Sequence, residues 1–211
     1  MGRDKKNHYI SVTGIMGSGK TTAANLLARR LGFHLFEENV KENVFLPLFY
    51  KDAKRWALPA QLFYLREKTH QLEKIKNLLP RTSIIQDSPI YQDHFTYAKA
   101  QLLLGNMNND EYALYQKFFD VFHQNLPIPD LIIELETSLP IIQNRIQNRA
   151  RNYEKEIAPA YIKLLSVLQK DWISQSPHLK IITVNTDNLN LVVNTAHQKE
   201  FVEMVKKKLA Q

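Results

Sequence analysis

The segment that decides the fold is Gly14-Ile15-Met16-Gly17-Ser18-Gly19-Lys20-Thr21, which lies between the apolar run 9–12 and the helix-like run 22–28. Its spacing, GxxxxGK[ST], is typical of a phosphate-binding loop between a strand and a helix. Glycines are needed there because backbone N–H groups turn towards phosphate oxygens, which a Cβ atom would obstruct. The sequence therefore predicts that these residues and Thr22 bind the phosphates of a nucleotide. Lys20 would reach the β- and γ-phosphates, and the Thr21 hydroxyl would hold Mg²⁺.

The composition is that of a globular enzyme. The chain has 211 residues, of which 44% are hydrophobic and 23% charged, so residues 1–211 are expected to form a single domain. Cysteine is absent, which excludes disulfides and thiolate chemistry. No apolar run reaches transmembrane length, and no export signal is recognisable. We therefore expect a cytoplasmic protein that has no membrane partner.

The net charge of +7 favours an anionic partner, either a nucleic acid or a small phosphorylated ligand. Basic residues at the two ends of the chain are typical of solvated tails. Others gather at Arg145, Arg149 and Arg151, where they could close over a phosphate. The position of these arginines favours the small ligand, and we expect no nucleic-acid partner.

Short apolar segments alternate with helical segments along the chain. Strands are predicted at 8–13, 33–36, 84–85, 131–135 and 181–184. Helices are predicted from the glycine-rich loop to residue 31 and at 59–79, 91–104, 110–125, 139–150, 159–173 and 197–209. Because parallel neighbours need crossover connections, this alternation predicts an α/β fold of the P-loop NTPase type. We expect three layers, with a parallel five-stranded sheet flanked by helices, and a lid.

Two carboxylates follow predicted strands and should meet the glycine-rich loop at the carboxyl edge of the sheet. Glu38 is a candidate general base for a hydroxyl, and Asp87 is a candidate metal partner through water. Arg145 and Arg149 are four residues apart on one helix face, with Arg151 just beyond, and could bind phosphate oxygens. The alternative is that these are solvated carboxylates and an exposed basic helix face. A regulatory GTPase is disfavoured, because DxxG and NKxD motifs are absent.

Four further stretches resemble the deoxynucleoside kinase family, and the similarity runs in order through most of the chain. The first is Glu38-Asn39-Val40, similar to an EPV-like triplet, and the second is Tyr50-Lys51-Asp52-Ala53-Lys54-Arg55-Trp56-Ala57-Leu58-Pro59-Ala60-Gln61, similar to YKDPKKWAxxxQ. The third is Asp87-Ser88-Pro89, at the place of a D/E-R-S motif, and the fourth is Arg149-Ala150-Arg151-Asn152-Tyr153-Glu154, similar to an RxRxxE lid. The combination is far more specific than any single piece.

The resemblance implies ATP-dependent, Mg²⁺-assisted phosphorylation of the 5′-hydroxyl of a deoxyribonucleoside. Glu38 would deprotonate that hydroxyl, while Tyr50 and Glu154 would bond the sugar 3′-hydroxyl. Gln61 would pair with the base edge, because its amide offers both a donor and an acceptor. Arg149 and Arg151 would act on the transferring phosphoryl group from the lid.

Further substrate contacts follow from the same resemblance. Phe49, Tyr97 and Tyr64 are candidates for aromatic walls, although core packing is an equally good interpretation. Lys68 and Asp93 occupy positions where some relatives pair an Arg with an Asp over the base, which favours a purine or cytosine over thymine. Asp187 falls in the loop beside the ATP adenine, and Asp87 falls at the acceptor end. A homodimer is expected by resemblance alone.

One departure concerns the cation of the D/E-R-S motif, because Ser88 replaces the Arg that would steady the acceptor end and the base carboxylate. Purine deoxynucleosides are the favoured substrates. Two alternatives stay open: a thymidylate-type nucleoside monophosphate kinase, against which the 50–61 stretch argues, and a basic nucleic-acid-binding or regulatory P-loop protein.

Overall fold

A computed structural model describes residues 6–38, 42–124, 126–149 and 157–210. Within these residues the strands are β1 (Tyr9–Thr13), β2 (His34–Phe36), β3 (Ile84–Asp87), β4 (Leu131–Glu136) and β5 (Ile181–Asn185). They form one sheet in the order β2-β3-β1-β4-β5, and every pairing is parallel. The predicted five-stranded parallel sheet is therefore confirmed.

Helices connect the strands and cover both faces of the sheet. They are α1 (Lys20–Leu31), α2 (Leu46–Phe49), α3 (Ala53–Leu78), α4 (Ile90–Gln92), α5 (Lys99–Leu103), α6 (Asn109–His123), α7 (Leu139–Asn148), α8 (Pro159–Ser174) and α9 (Thr195–Leu209). A π-helical segment, Asp93–Ala98, joins α4 to α5.

The central strands are apolar throughout because helices cover both of their faces. Successive residues alternate between the two layers: Ile84 packs on the side of α3 and α6, and Ile85 packs on the side of α1 and α9. The register places Ile10 of β1 between Ile85 and Leu131. The sheet therefore holds the loop after β1 at its centre, between the ends of β3 and β4.

Several helix boundaries differ from the sequence prediction. The predicted start of α3 at Pro59 is wrong, because the side chain of Asp52 accepts a hydrogen bond from the Arg55 N–H and caps a helix that begins at Ala53. Pro59 lies inside this helix. The short helix α2 was not predicted, and the predicted helix 91–104 is interrupted by the π-helical segment.

Candidate active site

The phosphate-binding loop (P-loop) is a tight turn between β1 and α1. Gly14 has a φ of 139°, and a Cβ atom built on it would lie 2.8 Å from the Leu135 carbonyl oxygen. Gly17 also has a positive φ, and a Cβ there would lie 3.0 Å from Ile142 Cγ2. Both positions therefore require glycine, since an L side chain would be strained and crowded.

A cavity opens beside this loop, and we call it the P-loop cavity. It is bordered by residues 17–22, by Leu135, by one side of α7 with Arg145, by Arg149 just after α7, and by residues 186–192. The predicted nucleotide-binding residues that line it are Gly17, Ser18, Gly19, Lys20, Thr21, Thr22, Arg145, Arg149 and Asp187. The loop and the arginine helix therefore face one space, although they are more than 100 residues apart in sequence.

Three residues predicted to bind the nucleotide lie elsewhere. The N–H and carbonyl of Gly14 are both bonded by the Gln92 side chain, at 3.3 and 2.8 Å. Ile15 is buried in an apolar cluster, and the N–H of Met16 donates to Tyr97 Oη at 2.9 Å. Gly14 and Ile15 are thus enclosed by the protein, whereas Met16 lines a second cavity that is described below. Contact of these three residues with the nucleotide stays a prediction.

Arg145 links the two sides of the P-loop cavity. Its guanidinium donates to the Ser18 carbonyl at 3.0 Å and to the Thr186 carbonyl at 2.9 Å. Asp187 Oδ1 accepts a hydrogen bond from the Ser138 N–H at 2.8 Å, next to the start of α7. Both side chains thus fix the walls of the cavity as well as lining it.

The predicted metal ligands are in direct contact. The Thr21 hydroxyl donates to Asp87 Oδ2 at 2.6 Å, and Asp87 Oδ1 is buried without a hydrogen-bond partner in the described part of the chain. Burial and the nearby Glu38 carboxylate raise the pKa of Asp87. An unpartnered carboxylate oxygen beside a P-loop hydroxyl fits Mg²⁺, which binds few protein oxygens and completes its shell with phosphate and water.

Glu38 lies just after β2, where a carboxylate was predicted. Its Oε1 accepts from the Ser88 hydroxyl at 3.2 Å and lies 3.3 Å from the Lys68 ammonium. Burial raises the pKa of Glu38, but the charges of Lys68 and Lys20 oppose this and bring the pKa below its ordinary value. The carboxylate is therefore ionised near neutral pH, as a proton acceptor must be.

Glu38 borders a second cavity, which we call the Glu38 cavity. The predicted substrate residues that line it are Glu38, Phe49, Tyr50, Gln61, Asp93 and Tyr97. Tyr64, a predicted aromatic wall, lines it as well. The cavity is also lined by three residues that were not predicted as site residues: Leu46, Gln92 and Tyr161. No sequence pattern marks these last three, because single buried or half-buried residues carry no motif.

Two oxygens of the cavity residues are unpartnered within the described residues. Gln61 Oε1 and Asp93 Oδ2 are buried and accept no hydrogen bond. Burial raises the pKa of Asp93 to about 7. A buried polar atom without a partner is costly, so these two atoms are suited to hydrogen bonds from a ligand.

Tyr97 has a second role besides lining the cavity. Its hydroxyl accepts the hydrogen bond from the Met16 N–H, so its ring lies against the P-loop side of the cavity. The predicted aromatic wall is thus also a support of the phosphate-binding loop.

Lys68 does not have the partner that the sequence predicts. Its ammonium contacts Glu38 Oε1, Ser88 Oγ and the Asp87 carbonyl, and no ion pair with Asp93 is formed. Lys68 and Asp87 are each 1% exposed and do not line the Glu38 cavity. In the free protein neither side chain is exposed to this cavity, and their contacts with substrate stay predictions.

Part of the predicted lid and triplet lies outside the described residues. This applies to Arg151, Glu154, Asn39 and Val40. Their predicted roles remain predictions.

The two cavities meet at Lys20 and Arg149, which line both of them. On one side is a P-loop with its metal-compatible Thr21–Asp87 pair, and on the other side is an ionised carboxylate. The fold and this arrangement define a P-loop phosphotransferase with separate places for a nucleotide and a second substrate.

Comparisons with known proteins give the family. The deoxynucleoside kinase family profile matches residues 10–210. Deoxyguanosine kinase of Bacillus subtilis (strain 168) is 29% identical over 205 residues, covering 92% of this chain and 97% of that protein. Deoxyadenosine/deoxycytidine kinase of the same organism is 34% identical over 190 residues, which cover 88% of this chain and 87% of that protein. The structure of deoxyadenosine kinase from M. mycoides with bound dATP matches with a TM-score of 0.82 at 27% identity, and the match covers 96% of this chain and 100% of that protein.

The chain belongs to the deoxynucleoside kinase family. It is an ATP-dependent kinase that converts a deoxyribonucleoside into its 5′-monophosphate. This favours the nucleoside kinase prediction over the monophosphate kinase and over the regulatory P-loop protein. Within the described residues, none of the helices combines the length and the apolar character that a membrane span needs.

Proposed function

We propose that this kinase acts on purine deoxyribonucleosides, with Glu38 as the general base and with Mg²⁺ held by Thr21, Asp87 and the triphosphate. The observation that carries the proposal is the junction of the two cavities at Lys20 and Arg149. A hydroxyl bound beside Glu38 then faces a phosphate bound above the P-loop. In-line transfer needs this placement more than it needs covalent chemistry by the protein.

The negatively charged and the positively charged groups of the site have different roles. Glu38 Oε1 is held by Ser88 and Lys68, which leaves Oε2 to take the proton of the 5′-hydroxyl. Lys20 and Arg149 stabilise the negative charge that spreads over the transferring group. Bound Mg²⁺ would neutralise charge on the phosphate oxygens.

The unpartnered oxygens favour bases that carry an amino group. Gln61 Oε1 needs a hydrogen-bond donor, and Asp93 Oδ2 needs one when its carboxyl is ionised. Adenine, guanine and cytosine each offer an exocyclic NH₂ group, whereas thymine offers only its ring N–H. The names of the two Bacillus relatives include deoxyguanosine, deoxyadenosine and deoxycytidine, so two of the three named substrates are purine deoxynucleosides.

A substrate panel tests this proposal. We expect deoxyadenosine and deoxyguanosine to be phosphorylated by Mg-ATP with a kcat/KM at least about tenfold above that of thymidine, because a site with unpaired polar groups rejects a ligand that cannot satisfy them. Matched assays with dAMP and dTMP as acceptors serve as the control. Thymidine as the best nucleoside would contradict the assigned base contacts, and turnover of monophosphates alone would contradict the acceptor site.

We also propose a homodimer through α6. Leu114, Phe118 and Val121 are exposed and, at spacings of four and three, lie on one face of this helix. An apolar face of this kind is typical of an interface, and the family resemblance makes a second copy of the chain its occupant.

Light scattering on the purified protein tests the dimer. Phe118→Glu should produce a monomer, because it would place a charge in the apolar face. Gln116→Glu adds the same charge on the opposite side of α6 and should leave the dimer intact. A wild-type monomer at micromolar concentration would contradict the proposal.

We also propose that the chain forms a single domain and lies in the cytoplasm. The family profile matches residues 10–210, which supports one domain over 1–211. The need for ATP supports a cytoplasmic location.

A further inference from the structure

Lys68 is a fully enclosed cation with a complete set of partners. The side chain is 1% exposed. Its ammonium lies 3.0 Å from the Asp87 carbonyl, 3.2 Å from Ser88 Oγ and 3.3 Å from Glu38 Oε1. The first two contacts are hydrogen bonds and the third is an ion pair, so three oxygen atoms surround the ammonium and restrict its position.

Ser88 closes a triangle with the same two groups. It accepts from Lys68 and donates to Glu38 Oε1 at 3.2 Å. Ser88 is 0% exposed, so a long side chain at this position would occupy the space that the Lys68 ammonium fills. The short residue after β3 and the long cation from α3 are therefore complementary.

The alternative role for Lys68, reading the nucleobase, has no support in its contacts. The residue is absent from the lining of the Glu38 cavity, whereas Gln61, seven residues earlier on α3, lines it with an unpartnered oxygen. All three contacts of Lys68 point to the loop after β3 and to the catalytic carboxylate.

We propose that Lys68 is the positioning residue for the general base: its ammonium, supported by Ser88, fixes the Glu38 carboxylate at the junction of the two cavities and takes no part in base selection. The cation beside the proposed general base therefore comes from α3. This inference rests on the proposed role of Glu38.

Steady-state kinetics of Lys68→Met test the inference, with Lys74→Met, an exposed lysine of the same helix, as the control. We expect kcat to fall about tenfold or more, because a general base acts only from a fixed place. The KM values for nucleoside and ATP should stay within about threefold, and the order of preference among deoxyadenosine, deoxyguanosine and deoxycytidine should not change. A changed base preference with normal kcat would overturn the inference.

A double-mutant cycle separates positioning from general damage to the fold. In a Glu38→Gln background, Lys68→Met should slow the residual reaction by less than about twofold, since a residue that acts through Glu38 has nothing left to position. An equal loss in both backgrounds would overturn the inference. Near-normal turnover of Glu38→Gln alone would instead contradict the role of Glu38 as general base. This result differs from an equal loss in both backgrounds, which contradicts only the role of Lys68.

Discussion

Replacing Glu38 by Gln is the most direct test of the proposed chemistry. Glutamine keeps the size of the side chain, and its amide oxygen can still accept from Ser88, which donates to Oε1 at 3.2 Å in the wild type. The amide cannot take a proton from a hydroxyl. The change therefore removes the proposed base and leaves the shape of the cavity almost unaltered.

The expected fall in kcat follows from the loss of the general base. Removing a general base costs about 10²–10⁴ in rate, so we expect kcat to fall by about a hundredfold or more, or about 2.7 kcal/mol on the barrier. The Lys68 ammonium would also lose its charged partner. Because the Glu38 side chain is 22% exposed, we expect a loss of stability on the order of 1–3 kcal/mol, below the cost for a fully buried pair.

Turnover, ATP binding and melting temperature should be measured on the same preparations. ATP binding by calorimetry should be unchanged, because Glu38 does not line the P-loop cavity. Glu37→Gln is the matched control: this neighbouring carboxylate is exposed and accepts from Asn25 at 3.0 Å, so kcat should stay at the wild-type value. A Glu38→Gln enzyme within about threefold of wild-type turnover would refute the assignment of the base.

Three further predictions concern the walls of the Glu38 cavity. Gln61→Leu should raise the nucleoside KM by about tenfold or more while raising the melting temperature, because the buried Oε1 has no partner in the free enzyme; a lower melting temperature would contradict this. Tyr97→Phe removes the acceptor of the Met16 N–H and should therefore raise the KM for ATP several-fold more than the KM for nucleoside. A larger rise in the KM for nucleoside would contradict the role of Tyr97 as a support of the P-loop. Burial raises the pKa of Asp93 to about 7, so its stabilising proton is lost as pH rises. Between about pH 4 and 7 the folded state holds a proton that the unfolded state has released, so the melting temperature should fall relative to Asp93→Asn across this range and level off above it. Parallel curves for the two proteins would contradict the assignment.

The parts of the site that the backbone dictates could be predicted from the sequence. A P-loop needs glycines at fixed spacing, and Gly14 and Gly17 have the positive φ values that this spacing implies. Glu38 and Asp87 could be placed because residues at the ends of parallel strands meet at one edge of a sheet. Their position depends on topology, and the alternation of strands and helices gives the topology.

The partners of long side chains could not be predicted in the same way. The spacing of Gln61 and Lys68 on α3 indicates the side of the helix, but a four-carbon side chain can reach several acceptors from one Cα. The choice between Asp93 and Glu38 depends on the short Ser88 side chain, which leaves space beside Glu38. That space is a product of packing between α3 and β3 and is not visible in either segment alone.

The stretch from Gln92 through the π-helical segment links the two cavities. Gln92 bonds both backbone groups of Gly14, Asp93 lines the Glu38 cavity, and Tyr97 accepts from Met16. A shift of this stretch would therefore move the wall of the Glu38 cavity and the first turn of the P-loop together. One continuous stretch of chain therefore contacts both the first turn of the P-loop and the Glu38 cavity, while residues 17–22 line the P-loop cavity.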